Sequence, residues 1–268
     1  MKTVNFTLSD NNIQNIIPFG EYFYEKNVLI QVFCGQNRQT FQNTVNMICK
    51  ELPHAICIGA SSDGEINESQ IYVNKTVISI SIFKETSIKG AYVLDDSSYS
   101  NGVNLTNKII TFNTKLMLFF ASLNKTNGDE FLKGIEEVDN SIIIAGGLSS
   151  THSDYKESFV SFGNKLFNKG VVGISLNSNI LKVHNDFRFN WLPVGTKHVI
   201  TKVEDNKVYT IDNMNAVKFY EKYLGSEIME SLYENGTQFS LILLSKDIPI
   251  GRVVIDKDNE SLTFNGNF

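Results

Sequence analysis

Short apolar runs and polar connectors alternate along the chain, and their spacing predicts most of the elements. Residues 28–34 (VLIQVFC) are apolar but for one Gln and rich in β-branched side chains, the pattern of a strand buried on both faces. Phe41, Val45, Ile48 and Leu52 follow at helical spacing, and Pro53 stops that helix. Residues 55–59 (AICIG) read as a second buried strand. A strand, helix and strand of this length make a βαβ crossover, so the two strands are expected to run parallel. A polar turn, 60–66 (ASSDGEI), comes next. Strands are then expected within 71–83 and 88–94, with a turn at Asn74-Lys75.

The order returns downstream. Residues 116–122 (LMLFFAS) read as a buried strand, and Asn127 with Glu130 forms a helix start, Asn at the cap and Glu at the third position. The helix is expected to bury Phe131, Ile135 and Val138. Residues 141–147 (SIIIAGG) are the next buried strand, and a Ser-rich turn, 148–154 (LSSTHSD), follows. Strands are expected at 158–163, 171–176 and 181–187. Val28 and Leu116, Gly59 and Gly147, and the pairs Ser61-Ser62 and Ser149-Ser150 all lie 88 residues apart. This predicts an internal pseudo-repeat. Its two Ser-rich turns are expected to lie close together, related by approximate two-fold pseudosymmetry.

Beyond the Pro193-Val194-Gly195 turn the pattern changes. A short hairpin is expected at 200–203 and 208–211. A helix capped by Asn213 or Asn215 carries Ala216, Phe219, Tyr220, Tyr223 and Leu224 and closes at Gly225. Strands follow at 239–244 and 251–255. The last residues leave strands in need of partners, so the chain is expected to be a fragment of a longer polypeptide. The fold class expected is α/β: mixed sheets built from two pseudo-repeated β-α-β units, each followed by antiparallel strands, plus a partial α+β C-terminal segment.

Composition narrows the function. The 268 residues are 42% hydrophobic and 20% charged, a globular balance. The net charge of −5 and the lack of any basic run argue against a nucleic-acid partner. No apolar stretch reaches the ~18 residues of a membrane span, so no membrane insertion is expected. The polar first dozen residues do not resemble a secretory signal. Cys34, Cys49 and Cys57 sit in apolar runs and read as reduced, mostly buried thiols of a cytoplasmic protein. Asn, Ile and Lys are abundant and Arg occurs three times, as in AT-rich coding. The Asn residues as a class therefore carry no function, and Arg38, Arg188 and Arg252 stand out.

Ligands of sheets built from βαβ units sit beyond the carboxyl ends of the strands, where both Ser-rich turns fall. Free backbone N–H groups in such turns suit anions. The first turn adds Ser61, Ser62, Asp63, Gly64 and Glu65; the second adds Gly146, Gly147, Ser149, His152 and Asp154. The glycines either let the backbone approach a ligand or only shape the turn. Arg188 can hold a carboxylate through its planar fork, or pair with one of the 29 acids. Trp191 can wall a pocket or belong to the core. No Gly-x-Ser-x-Gly, His-Glu-x-x-His or phosphate-binding Gly-Lys-Ser/Thr pattern is present. The four histidines are scattered and no Cys-x-x-Cys occurs, so no zinc site is expected.

Residues 58–66 (IGASSDGEI), following a βαβ unit, resemble the Ser/Thr-rich signature of FIST sensory domains, which ends in Asp/Ala-Gly-Glu-Ile. Gly146-Gly147-Leu148 resembles the family's Gly-Gly loop. Trp191-Leu192-Pro193-Val194-Gly195, followed by Ile200-Thr201, resembles its Trp-x-Pro-hydrophobic-Gly turn. Residues 216–220 with Tyr223, Leu224 and Gly225 resemble the helix opening its C-terminal part. The loop after Gly147 departs from the family's usual Ala and Asp-Gly. The resemblance implies an N-terminal extension at 1–26 and a FIST N-terminal sensory domain at 27–212, with pseudo-repeats about 27–96 and 115–190. It also implies the incomplete beginning of a FIST C-terminal domain at 213–268.

The function so implied is that of a signal-input domain without chemistry of its own. It would bind a small molecule, such as an amino acid or derivative, and pass its state to an output domain or protein. Anion-binding turns and Arg188 would take the carboxylate, and Asp63 or Glu65 the ammonium. No cofactor is expected on this reading. One alternative is a haem-dependent nitric oxide sensor with His152 or His184 as axial ligand. Another is a serine hydrolase using Ser61 or Ser62.

Overall fold

The computed structural model describes residues 1–8, 13–123, 126–150, 157–186, 193–230, 232, 239–244 and 249–268. The chain divides into two compact units, Met1–Thr126 with Phe131–Asn185, and Asn127–Glu130 with Asp186–Phe268.

The chain begins with β1 (Lys2–Leu8), α1 (Ile13–Ile16), β2 (Asn27–Cys34), α2 (Arg38–Glu51) and β3 (Ile56–Ser61). A small hairpin, β4 (Glu65–Asn67) and β5 (Gln70–Tyr72), leads to β6 (Thr76–Phe83). The same course is then run again: β7 (Ser87–Val93), α3 (Ser98–Ile109), β8 (Thr114–Ala121), α4 (Gly128–Val138) and β9 (Ile143–Leu148). A second hairpin, β10 (Val160–Phe162) and β11 (Lys165–Phe167), leads to β12 (Val171–Asn177). The strand orders match, β1-β6-β2-β3 in one sheet and β7-β12-β8-β9 in the other. In each, only the βαβ pair is parallel. The repeat is therefore longer than the sequence pattern predicts. Residues 2–8, expected to be an extension, pair with β6 along their whole length.

Leu29 faces Ile56 and Leu116 faces Ile143, so the two parallel pairs coincide when Leu29 is placed on Leu116, a shift of 87 residues. The 88-residue offset from the Ser-Ser pairs is one too many, because the hydrogen-bond ladder sets the register. Gly59 lies opposite Val32 and Gly146 opposite Phe119, and at each a Cβ would press on that partner's carbonyl oxygen.

Two-sided burial explains the continuous apolar runs. Leu29, Ile58, Ala60 and Phe83 from one sheet pack against Phe120, Val172, Ile174 and Leu176 from the other. On the far side of the first sheet, Phe41, Val45 and Ile48 of α2 cover Val28, Ile30 and Val32. On the far side of the second, Leu105 and Ile109 of α3 and Phe131 and Ile135 of α4 cover Met117 and Phe119. The unit is thus a four-layer sandwich of helices, sheet, sheet and helices. Helices α3 and α4 touch through glycines: a Cβ on Gly102 would meet the Phe131 carbonyl, and one on Gly134 the Tyr99 carbonyl. The second hairpin crosses to the first sheet, where β10 pairs antiparallel with β3. Residues 181–186, expected within a strand, carry none, and four of the six are exposed.

The second unit contains β13 (Ile200–Glu204), β14 (Lys207–Ile211), β15 (Met214–Asn215), α5 (Ala216–Leu224) and α6 (Ser226–Glu230). It continues with β16 (Leu241–Leu244), β17 (Pro249–Arg252), β18 (Val254–Lys257) and β19 (Leu262–Phe264). Asn215 caps α5, its Oδ1 accepting from the Lys218 N–H at 3.1 Å. Strand β19 lies between β14 and β18. Phe219 and Tyr220 of α5 pack with Val208, Ile211, Leu262 and Phe264.

Candidate functional site

The carboxyl ends of β2, β3 and β9 converge, and the two Ser-rich turns meet there. The Ser150 N–H donates to the Ser61 carbonyl at 2.9 Å, and the Ser61 hydroxyl donates to the Ser150 carbonyl at 2.6 Å. The Ser61 Oγ also accepts from the buried Phe159 N–H at 2.9 Å. Ser61 thus ties three segments together. A nucleophilic serine needs its proton taken by a base; this proton goes to a backbone carbonyl.

Ser62 follows, half-buried, its N–H bonded to the Cys34 carbonyl at 3.0 Å. The matching bond in the second repeat, from Ser149 N–H to the Ala121 carbonyl, is 2.7 Å, so Ser149 is the counterpart of Ser62. The Ser62 hydroxyl donates to Glu65 Oε1 at 2.7 Å, and the Lys75 N–H to Glu65 Oε2 at 3.3 Å. Glu65 is only 2% exposed. Its carboxylate presses closely on Gly35, so a side chain at Gly35 would have to displace it. Burial pushes the Cys34 thiol above its ordinary range, and the charge of Glu65 adds to the effect. Asp63 and Gly64 are exposed at the rim. The two acids of the first turn therefore differ: Glu65 holds the turn from within, and Asp63 faces outward.

In the second repeat Gly146 and Gly147 belong to β9 rather than to a loop, with Gly146 at φ 146° and open space beside Gly147. Ser149 is buried, its hydroxyl accepting from the Leu123 N–H at 3.3 Å. His152, Asp154, Arg188 and Trp191 lie outside the described residues. His184 is exposed, as are its neighbours Asn185 and Asp186.

Arg38, which sequence reasoning did not assign to the site, stands beside the junction. It opens α2, whose cap Asn37 accepts from the Thr40 N–H at 2.9 Å. Its guanidinium lies 5.3 Å from the ring centre of Phe159, the residue bonded to Ser61. Arg38 is exposed and makes no ion pair among the described residues. Its rarity was a signal; Phe159, 98 residues from Ser61 in the chain, offered none. Arg38 and the N–H groups of a helix start follow β2, and Ser62 and the exposed Asp63 follow β3, the strand that runs parallel beside it.

A family model, the FIST N domain, matches residues 28–214. The chain belongs to the FIST family. No curated protein matches it. FIST domains are sensory modules of signal transduction, and in this one the matched segment runs from β2 through β14 to the start of β15, including both Ser-rich turns. No helix among the described residues of this FIST domain is long and apolar enough to cross a membrane. Among the same residues no cluster of His, Cys, Asp and Glu suits a metal. A polar depression of about 420 Å³ lies at the other ends of the strands, lined by Asn27, Ser87, Asn113 and Asn177 among others. The Asn177 carboxamide is already engaged by Thr111, Thr114 and Ser175, so it latches the fold.

Proposed function

We propose that this FIST domain is the input module of a cytoplasmic signalling protein and binds a free amino acid or a close derivative at the joined Ser-rich turns. The observation that carries the reading is Arg38. It is an exposed guanidinium with no ion pair among the described residues, held against Phe159 beside the Ser61–Ser150 junction. On this reading Arg38 and the first N–H groups of α2 hold the carboxylate, a bidentate geometry that arginine favours. Asp63 faces the ammonium, with the negative charge of Glu65 behind Ser62. Glu65 positions Ser62, and Ser61 fixes the frame. Arg188 stays a second candidate for the carboxylate.

Micromolar affinity requires about −8 kcal/mol. Truncating one partner of a desolvated charge pair costs about 2–5 kcal/mol, so two such anchors with some apolar contact suffice. No bond is made or broken in this account; occupancy passes to an output domain or protein. A thermal-shift screen of the common amino acids tests it. At least one should raise the melting temperature in proportion to the logarithm of its concentration. A flat response to all of them would end the amino-acid reading. A Soret band on adding haemin, with stoichiometric uptake, would favour the haem alternative.

A further inference from the structure

Among the described residues, strand β9 is the last strand of its sheet, paired only with β8. Its sequence, Ile143-Ile144-Ala145-Gly146-Gly147-Leu148, has no charge and no proline, and Ala145 and Gly146 are exposed. Edge strands normally carry a lysine, a proline or a covering element that discourages pairing with another chain. None of these protects β9 among the described residues.

The fold itself contains the completed version of this edge. Under the 87-residue shift, Ile58, Gly59 and Ala60 of β3 fall on Ala145, Gly146 and Gly147 of β9. Strand β3 is not an edge, because β10 runs antiparallel beside it, Phe162 opposite Ile58, Ser161 opposite Gly59 and Val160 opposite Ala60. The corresponding hairpin of the first repeat does not return the favour. Among the described residues its strands β4 and β5 pair only with each other, and Glu65 anchors its root to Ser62 and Lys75. One of two equivalent edges is therefore filled and the other left over.

We infer that β9 docks antiparallel on the β9 of a second copy of this chain, around a two-fold axis passing near Ala145 and Gly146. Antiparallel pairing is what the equivalent edge already accepts. A two-fold axis sets a strand against itself, which a charged strand resists and an uncharged one does not. The small residues at the centre let the two backbones approach. The two four-stranded sheets would then become one continuous sheet.

Sedimentation equilibrium of the full chain at roughly 1–500 µM, the range suited to a small interface, tests this. The wild type should show a monomer–dimer equilibrium. Ala145→Lys and Ala145→Glu each place like charges across the axis and should weaken the dimer by more than about tenfold. An equimolar mixture of the two variants should restore it, which also shows that neither has merely unfolded. A wild type that stays monomeric over that range would overturn the inference. So would an Ala145→Lys variant that dimerises like the wild type, or a mixture of variants that stays monomeric.

Discussion

Ser61→Ala removes the hydroxyl that joins the two repeats, with a cost that follows from its surroundings. The hydroxyl gives one hydrogen bond of 2.6 Å to Ser150 and takes one of 2.9 Å from Phe159. Ser61 is 8% exposed and Phe159 6%, so water is poorly placed to substitute. The bond to Ser150 is worth about 1 kcal/mol net, and the Phe159 N–H, stranded by loss of the other, costs about 1–3 kcal/mol when left unsatisfied. The total expected is about 2–4 kcal/mol. At about 2–4 °C per kcal/mol for a unit of this size, the melting temperature should fall by roughly 4–16 °C. Urea unfolding followed by circular dichroism should show a lower midpoint at an unchanged slope. Asp63→Asn, at an exposed turn position that Asn also supports, should stay within about 0.5 kcal/mol of the wild type. A loss below about 0.5 kcal/mol for Ser61→Ala would refute the reasoning, since the junction would then be held by other contacts.

Gly134→Ala should destabilise the first unit by about 1–3 kcal/mol in the same urea assay, because its Cβ would meet the Tyr99 carbonyl across the α3–α4 contact. Tyr220→Phe should stabilise the second unit by about 1 kcal/mol, because the Tyr220 hydroxyl is buried without a hydrogen-bond partner among the described residues. Burial also pushes its ionisation upward. The unfolded chain releases that proton near pH 10 and the folded chain only above it. Stability is therefore lost as the pH rises past about 10, and Tyr220→Phe should remove that share of the slope. Among the thiols, Cys49 should be the first to react with Ellman's reagent. It is half-buried and its ionisation is lowered by a hydrogen bond with Cys57, whereas Cys57 and Cys34 are buried and raised. Equal labelling of all three in the folded protein would contradict this.

The parallel strands and their crossover helices were legible because burial on both faces leaves an unbroken apolar run, as at 28–34 and 116–122. Strand β1 was not. It sits at a sheet edge with mixed burial, and its polar alternation resembles a solvated extension. Helix α3 was missed for a different reason. Asn101, Gly102 and Thr106 share its buried face with Leu105 and Ile109, so small and polar residues replace the hydrophobic stripe. Asn101 is inside because its carboxamide accepts from the Asp95 N–H and donates to the Asp95 carbonyl, both at 2.9 Å. At the site, the strand ends and their serines were readable from position. Which serine frames the junction and which faces the ligand was not, because the deciding partners, Ser150 and Phe159, lie 89 and 98 residues away. Arg38 was noticed for its scarcity, but only the ring of Phe159 gives it a place.

The most direct test of the account is calorimetric titration of the amino acid that raises the melting temperature most, into the wild type and into Arg38→Met. The wild type should bind with micromolar affinity, and Arg38→Met, with stability intact, should bind weaker by about 2–5 kcal/mol, roughly thirtyfold or more. Asp63→Asn, titrated alongside, should weaken binding as well if that acid faces the ammonium. An Arg38→Met variant that binds the same amino acid with wild-type affinity would contradict the central claim that the joined turns and this guanidinium form the ligand site.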